Sequence, residues 1–256
     1  MNKNLAPLIT WLPSRSQVDL NGAWRSIIDV YDVGITGPFG RDDGETAGNP
    51  NWGFAYDRGR NSPGRSEYDF DTSPEIEVPG DWNTQHDRFH FYEGSMWFRR
   101  HFDTPDVATG RRLFVHFGAV NHQAVVFLNG KRLAQHEGGF GPFCVEVTDA
   151  LAPTGVNNAL IVRVNNRREP HGIPTTRTDW FNYGGLTRDV TLVDVPSTFV
   201  RDAVVQLVPD DPTLIEATVS PSRLPMRVRK ASFAASKAEG FSSRAAAKAS
   251  ASISPP

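Results

Sequence analysis

Acidic side chains that lie close together in the sequence are the first candidates for chemistry in this chain. Two carboxyl groups held side by side can act as a general acid and a general base. Each local pair lies next to turn residues, which favours a solvated loop over a catalytic site, although the fold could still bring two of them together. The pairs are Asp42 with Asp43, Asp69 with Asp71, Glu75 with Glu77, and Asp210 with Asp211.

Histidine and cysteine spacing gives little support for a metal site or a cofactor. His86 and His90 are four residues apart, but residues 81–88 show no amphipathic helix and no third ligand follows at a motif spacing. Cys144 is the only cysteine, which excludes an internal disulfide, so we predict a buried thiol. The glycine-rich residues 138–141 lack the Lys-Ser/Thr ending of a phosphate loop. We predict no metal, no cofactor and a β corner at 138–141.

Composition predicts a folded chain with an unusual end. The 256 residues are 39% hydrophobic and 11% aromatic, enough for a large core, and a formal net charge of -2 would attract neither nucleic acid nor anionic lipid. Residues 221–256 hold seven basic residues and one acid, hence +6, which leaves 20 basic and 28 acidic residues, hence -8, for residues 1–220. Because residues 221–256 are also rich in Ala and Ser, we predict a disordered tail there, with a basic arm for nucleic acid as the alternative.

Hydropathy gives no sign of a membrane segment. No run of 18 apolar residues is present, so we predict no contact with a membrane. The apolar run from Leu5 to Leu12 is interrupted by Pro7 and lacks a cleavage site, which argues against a signal peptide. We expect a cytoplasmic location by default, or a periplasmic or secreted one if an upstream signal peptide has been lost.

Alternating apolar and polar residues predict short antiparallel strands over most of the chain. The clearest segments are 113–117, 124–128, 160–164 and 190–195. Segment 124–128 ends in Asn129-Gly130, which suits the two-residue type I′ turn of a hairpin. Because such strands recur every 8 to 12 residues with little helical periodicity, we predict an all-β sandwich or jelly roll.

Two regions depart from this regular strand pattern. Residues 31–74 carry so many glycines and prolines that we predict one long loop. After Pro196, residues 199–208 and 214–219 predict two further strands. Trp24, Trp82 and Trp97 lie inside strand-like motifs, which favours core positions over sugar-stacking platforms.

Seven motifs, in this order and spacing, make the chain similar to glycoside hydrolase family 2. They are LNGAW at 20–24, VPGDWN at 78–83, YEGSMWFRR at 92–100, FGAVNH at 117–122, VFLNG at 126–130, EGGF at 137–140 and DWFNYGGLTR at 179–188. The resemblance is nearest to the β-glucuronidase branch, with β-galactosidases next. It implies a jelly-roll, galactose-binding-like domain, then an immunoglobulin-like domain, then a catalytic (β/α)₈ barrel.

The length predicts that only part of this architecture is present. We expect an N-terminal segment at 1–17, a jelly-roll sugar-binding domain at 18–196, an incomplete immunoglobulin-like sandwich at 197–220, and the tail at 221–256. Sixty residues follow Pro196, whereas a barrel needs about 250. The Asn-Glu pair that carries the family's acid/base is missing from the sequence. We therefore expect a chain truncated before the barrel, with no catalytic residues of its own, that self-associates through unpaired edges of the second domain.

The resemblance also implies sugar contacts. In the family, the aspartate that opens the DWFNYGG-like segment hydrogen-bonds the bound sugar, which points to Asp179, with a turn cap as the alternative. We add Trp180 and Tyr183 from the same loop, and Asn121 and His122 from the loop after 113–117. The expected function is the N-terminal part of a retaining glycosidase that hydrolyses the O-glycosyl bonds of β-glucuronides or β-galactosides, with carbohydrate as the partner. The alternative is a stand-alone carbohydrate-binding or interaction module.

Overall fold

The computed structural model of the protein describes residues 4–34, 69–209, 211–221 and 228–234. In these residues the chain forms strands and short 3-10 turns, and none of its helices there has the length and apolar character needed to span a bilayer. The chain divides into two units, Met1–Pro7 with Arg15–Val195, and Leu8–Ser14 with Pro196–Pro256.

The elements are numbered in chain order. The strands are β1 (Ser16–Asp19), β2 (Gly22–Asp29), β3 (Glu75–Val78), β4 (Ser95–Asp103), β5 (Arg112–Phe117), β6 (Val120–Asn121), β7 (Gln123–Leu128), β8 (Lys131–Glu137), β9 (Phe143–Glu146), β10 (Asn157–Asn165), β11 (Gly185–Leu186), β12 (Val190–Val195), β13 (Val200–Val208), β14 (Asp211–Pro221) and β15 (Val228–Ala234). The 3-10 turns are Leu12–Ser14, Phe70–Thr72, Asp87–Phe89 and Thr148–Ala150.

The first unit is an antiparallel β-sandwich. One sheet has the order β3-β2-β4-β10-β7-β8 and the other β1-β12-β5-β9, while β6 and β11 form a separate two-stranded ladder. Alternate residues of the two sheets meet in a single core, as Leu160, Val162 and Val164 of β10 meet Val115 and Phe117 of β5. This arrangement confirms the predicted all-β sandwich.

The inner strands of the larger sheet are buried on both faces. On the face away from the main core, Trp97 and Phe127 have ring centroids 5.7 Å apart and pack with Ile161 and Phe70. Trp24 and Trp82 belong to the main core, and all three tryptophans are fully buried, as predicted. Trp97 therefore stabilises the outer face of the sheet rather than the space between the sheets.

A turn after β2 is fixed by two aspartates with different partners. The buried carboxylate of Asp29 accepts hydrogen bonds from the amides of Val33 and Gly34, and from Trp97 Nε1 at 3.0 Å. Asp32 is half-buried and forms an ion pair with the Arg163 guanidinium, which comes from β10. These contacts anchor the start of the predicted long loop, whose residues 35–68 lie outside the described part of the chain.

Local sequence signals placed the strands correctly. The predicted segments correspond to β5, β7, β10 and β12. The hairpin joins β7 to β8, with φ of 52° at Asn129 and 81° at Gly130, which are the positive values that a type I′ turn requires. Cys144 is buried in β9, as predicted.

Two local predictions were wrong. Glu75 and Glu77 lie on strand β3, where they alternate with buried Ile76 and Val78, because pairing with β2 overrides the nearby turn residues. Residues 228–234 of the predicted disordered tail form β15, because their backbone pairs with β14, which the local composition does not indicate. Asp42, Asp43, Asp210 and residues 222–227 and 235–256 lie outside the described residues.

The second unit contains an antiparallel sheet of order β13-β14-β15 in its described part. β13 and β14 confirm the two strands predicted after Pro196. Thr10, from the segment before β1, donates its amide to the carbonyl of Arg201 at 3.1 Å. Leu8–Ser14 therefore groups with this unit, whereas the sequence predicted a separate N-terminal segment at 1–17.

The ion pair of Asp32 predicts a specific pH dependence of stability. Burial alone would raise the pKa of this carboxyl, but hydrogen bonds from Arg163 and Ser95 and the charges of Arg163 and Arg167 outweigh burial and lower the pKa below 3.8. A carboxyl group whose pKa is lower in the folded state than in the unfolded state stabilises the fold at pH values above its unfolded-state pKa. This stabilisation is lost as the pH falls through the folded-state pKa. We expect Asp32→Asn to lower the free energy of unfolding at neutral pH, with a difference from wild type that shrinks as the pH falls through the lowered folded-state pKa of Asp32. Urea unfolding across this range measures it, and a pH-independent difference would contradict the assignment.

Self-association through the second unit stays a prediction. On β13, Val204 is 51% exposed, and Val205 and Leu207 are each 61% exposed. Because exposed apolar side chains on an edge strand favour pairing with another chain, we expect sedimentation velocity to show concentration-dependent association that Leu207→Lys weakens. Val18→Lys, at an exposed valine of the first unit, is the control, and a monomer at every concentration would be the contrary result.

Candidate functional site

Two irregular segments of the first unit, 83–93 and 166–184, lie against each other around an open pocket. Its volume is about 260 Å³. The first segment follows β3 and the second follows β10, so both leave the larger sheet. The lining residues are Asn83, His90, Phe91, Glu93, Arg168, Asp179, Trp180, Phe181 and Asn182.

Asn83 joins the two walls of the pocket. Its side-chain Nδ2 faces the carbonyls of Phe89, His90 and Tyr92 at 3.0 to 3.1 Å. Its Oδ1 accepts a hydrogen bond of 2.9 Å from the amide of Gly184. Because Asn83 is buried, these bonds satisfy the polar atoms of its own side chain and fix backbone groups of both segments.

A second set of asparagines fixes the base of the 179–184 loop. Asn166 Nδ2 donates to the carbonyl of Asn182 at 2.9 Å, and Asn182 Nδ2 donates in return to the carbonyl of Asn166. Asn121 Nδ2 donates to Asn182 Oδ1 at 3.2 Å and also contacts the carbonyl of Tyr183. The loop is therefore held by side-chain amides in place of a strand ladder.

Close packing beneath the loop requires a glycine at position 184. A Cβ placed on Gly184 would lie 2.1 Å from Cζ2 of the Trp82 indole and 2.6 Å from Nδ2 of Asn166. The Trp82 amide donates to the Gly184 carbonyl at 2.9 Å, so the backbone is held against the indole. Gly184 of the DWFNYGG motif is therefore required for packing, in addition to the motif's polar residues.

Exposed rings surround the pocket opening. The ring of Phe181 lies 5.3 Å from His90, 6.3 Å from Phe91 and 4.7 Å from Tyr183, measured between centroids. Phe91 is 84% exposed and Trp180 is 61% exposed. These rings offer apolar faces to a ligand that enters the pocket.

The two carboxylates of the pocket have different environments. Glu93 is paired with Arg168, whose Nε lies 2.9 and 3.1 Å from the two carboxylate oxygens. Asp179 is exposed, and among the residues that the structure describes no group donates a hydrogen bond to its carboxylate. Asp179 therefore makes no turn cap there, and its oxygens are open to a ligand.

The structure brings only some of the sequence-predicted site residues to the pocket. Asp179 and Trp180 line it, while Tyr183 packs beside Phe181 at its margin. Asn121 lies behind the loop, because the pairing of β6 with β11 sets it opposite Gly185. His122 is separate from the pocket-lining residues, with Nε2 3.9 Å from Glu137 Oε1.

Several lining residues were not singled out from the sequence. Glu93 lies inside the YEGSMWFRR motif, which signalled the family but gave no role to the glutamate. Arg168 and Phe91 carry no local signal, and the spacing of His90 from His86 was considered only for a metal site, because only the fold brings these residues to the loop. In the described residues no group of three potential metal ligands is assembled, and His86 Nε2 instead lies 2.9 Å from the carbonyl of Glu75.

Comparison with known proteins agrees with this geometry. The model of the sugar binding domain of glycosyl hydrolases family 2 matches residues 46–196. The chain belongs to glycosyl hydrolase family 2. The residues matched to this family 2 domain include the whole pocket, from Asn83 to Asn182.

Individual family 2 proteins resemble the chain over part of their length. A β-glucuronidase from Paenibacillus borealis is 30% identical over 178 residues, which is 60% of this chain and 30% of that protein. A β-galactosidase from Thermoanaerobacter pseudethanolicus is 29% identical over 112 residues, 43% of this chain and 15% of that protein. The structure of a β-glucuronidase from an uncultured Clostridium sp. superposes with a TM-score of 0.61 at 27% identity, covering 85% of this chain and 35% of that one. The family 2 chain thus spans about a third or less of the relatives it matches.

The Gly184 contact predicts a cost for a single added methyl group. We expect Gly184→Ala to lower the free energy of unfolding by about 1–3 kcal/mol, because Trp82 and Asn166 must move to admit the Cβ. Gly141→Ala is the matched control, since a Cβ there meets nothing within 4 Å. Urea denaturation of both variants measures the difference. Equal stabilities would show that the loop is not held against the indole.

Proposed function

We propose that this chain forms the sugar-contacting β-sandwich of a retaining β-glycosidase that hydrolyses the O-glycosyl bonds of β-glucuronides or β-galactosides. Family membership supports the reaction class, and the names of the similar proteins, β-glucuronidase and β-galactosidase, supply the two sugar classes. In this proposal the chain binds and orients the sugar.

The observation that carries the proposal is the free carboxylate of Asp179 at the edge of an open pocket. A carboxylate accepts hydrogen bonds from two sugar hydroxyls, and such charge-assisted bonds are stronger than neutral ones. The exposed indole of Trp180 adds an apolar face for the C–H side of a sugar ring. Together they would select a polyhydroxylated ring over an apolar ligand of the same size.

The pocket's own carboxylates support a binding role better than a catalytic one. Retaining glycosidases use two carboxyl groups about 5 Å apart, one of which protonates the leaving oxygen. Both oxygens of Glu93 lie within hydrogen-bonding distance of Arg168 Nε, so Glu93 is held in an ion pair rather than presented to a substrate. We propose that the catalytic pair is supplied by another part of a protein as long as the relatives.

Sugar binding by the chain tests the proposal. We expect methyl β-D-glucuronide or methyl β-D-galactoside to shift the backbone NMR signals of residues 178–183 with a Kd of about 1 mM or weaker, the range of a few hydrogen bonds on an open surface. Asp179→Asn keeps the shape of the side chain but removes its charge, and we expect it to weaken binding about tenfold or more. Asp106→Asn, at an exposed aspartate outside the pocket, is the matched control. The proposal fails if neither sugar binds up to its solubility, or if Asp179→Asn binds as tightly as wild type.

A further inference from the structure

We infer that Arg168 is a positioning residue that holds Asp179 in place by binding the backbone on both sides of it. Nη1 of Arg168 donates to the carbonyl of Thr178 at 2.5 Å, and Nη2 donates to the carbonyl of Trp180 at 2.7 Å. These two carbonyls belong to the residues that flank Asp179. The inference rests on the proposed function, in which Asp179 contacts the sugar.

The guanidinium itself is fixed by a third contact. Its Nε faces both carboxylate oxygens of Glu93, which follows Tyr92 in the opposite wall of the pocket. A guanidinium is planar and presents its N–H groups in a rigid fork, so an ion pair at Nε sets the direction of both Nη groups. Glu93, Arg168 and the 178–180 backbone thus form one connected unit across the pocket, here called the arginine clamp.

The clamp holds residues 178–180, which lie outside regular secondary structure and precede the part of the loop that the asparagines hold. Residues 166–184 contain no strand or helix, and Asp179 and Trp180 are exposed. Thr178 makes two further contacts, both with Thr175: its amide donates to the Thr175 carbonyl at 3.2 Å, and the two hydroxyl oxygens lie 2.9 Å apart. An exposed carboxylate on such a loop would sample many directions, whereas two bonded carbonyls beside it restrict the backbone that carries it.

Arg168 is not placed as a direct anion-binding group. Each of its three nitrogens already contacts a protein acceptor, and its side chain is only 20% exposed beside the paired Glu93. A direct role would favour a sugar that carries a carboxylate over one that does not. A positioning role would affect both sugars equally, because Asp179 contacts hydroxyl groups.

The test compares Arg168→Lys with Arg112→Lys. A lysine at 168 keeps the charge and can pair with Glu93, but a single ammonium cannot bridge both carbonyls. Arg112 forms a similar two-bond pair with Glu146 on the strands of the smaller sheet, so the same substitution there controls for loss of a guanidinium pair. The readouts are amide hydrogen exchange of residues 178–182 and NMR affinity for methyl β-D-glucuronide and methyl β-D-glucoside. These two sugars differ only at C6, which is a carboxylate in the first and a hydroxymethyl group in the second.

We expect Arg168→Lys to accelerate exchange of the 178–182 amides and to weaken both sugars equally, each by about fivefold, the effect of one lost hydrogen bond. Arg112→Lys should change neither. In an Asp179→Asn background, Arg168→Lys should cause no further loss of affinity, because the group that it positions has already lost its charge.

Four outcomes would overturn the inference. Unchanged exchange at 178–182 would show that the clamp does not order the loop, whether or not a sugar binds. A loss confined to the glucuronide would assign Arg168 to direct contact with the sugar carboxylate. An equal loss in the Asp179→Asn background would show that Arg168 acts independently of Asp179. If wild type binds neither of these sugars nor methyl β-D-galactoside, the proposed function fails and the positioning role fails with it, while the exchange data still decide whether the clamp exists.

Discussion

The hydrogen bonding of buried backbone groups by asparagine side chains is the constraint on which the pocket depends. An irregular segment packed against a sandwich leaves amides and carbonyls without strand partners, and each one is costly if it stays unpaired. Asn83, Asn166 and Asn182 meet this need because a side-chain amide donates and accepts like a peptide group. Without these bonds, segments 83–93 and 166–184 would leave buried backbone groups unpaired where they meet.

The carboxylates of the first unit illustrate how environment assigns a role to the same chemical group. Asp29 is buried and accepts three hydrogen bonds, so it shapes a turn. Asp32 and Glu93 each pair with an arginine, and each ion pair joins two separate parts of the chain. Asp179 is exposed and has no donor in the described residues, which leaves it available to a ligand. Among these carboxylates, Asp179 is the one whose hydrogen-bonding capacity remains available to a ligand.

Short-range sequence patterns were sufficient to predict most strands of the sandwich. Strands such as β5 and β10 follow from alternation, and the Asn129-Gly130 turn follows from the backbone that this pair tolerates. The failures have one cause. Glu77 on β3 and residues 228–234 in β15 are ordered by a neighbouring strand, which local composition does not report.

The sequence by itself determined the all-β class, the family and the segment in which Asp179 lies, because alternation, turn pairs and motif order are local properties of the chain. The tertiary structure alone decided which residues share the pocket with Asp179. Glu93 and Arg168 are 75 residues apart, and Asn121 lies behind the loop instead of in the pocket. Such proximity results from strand pairing and close packing between distant segments, and no local pattern encodes it.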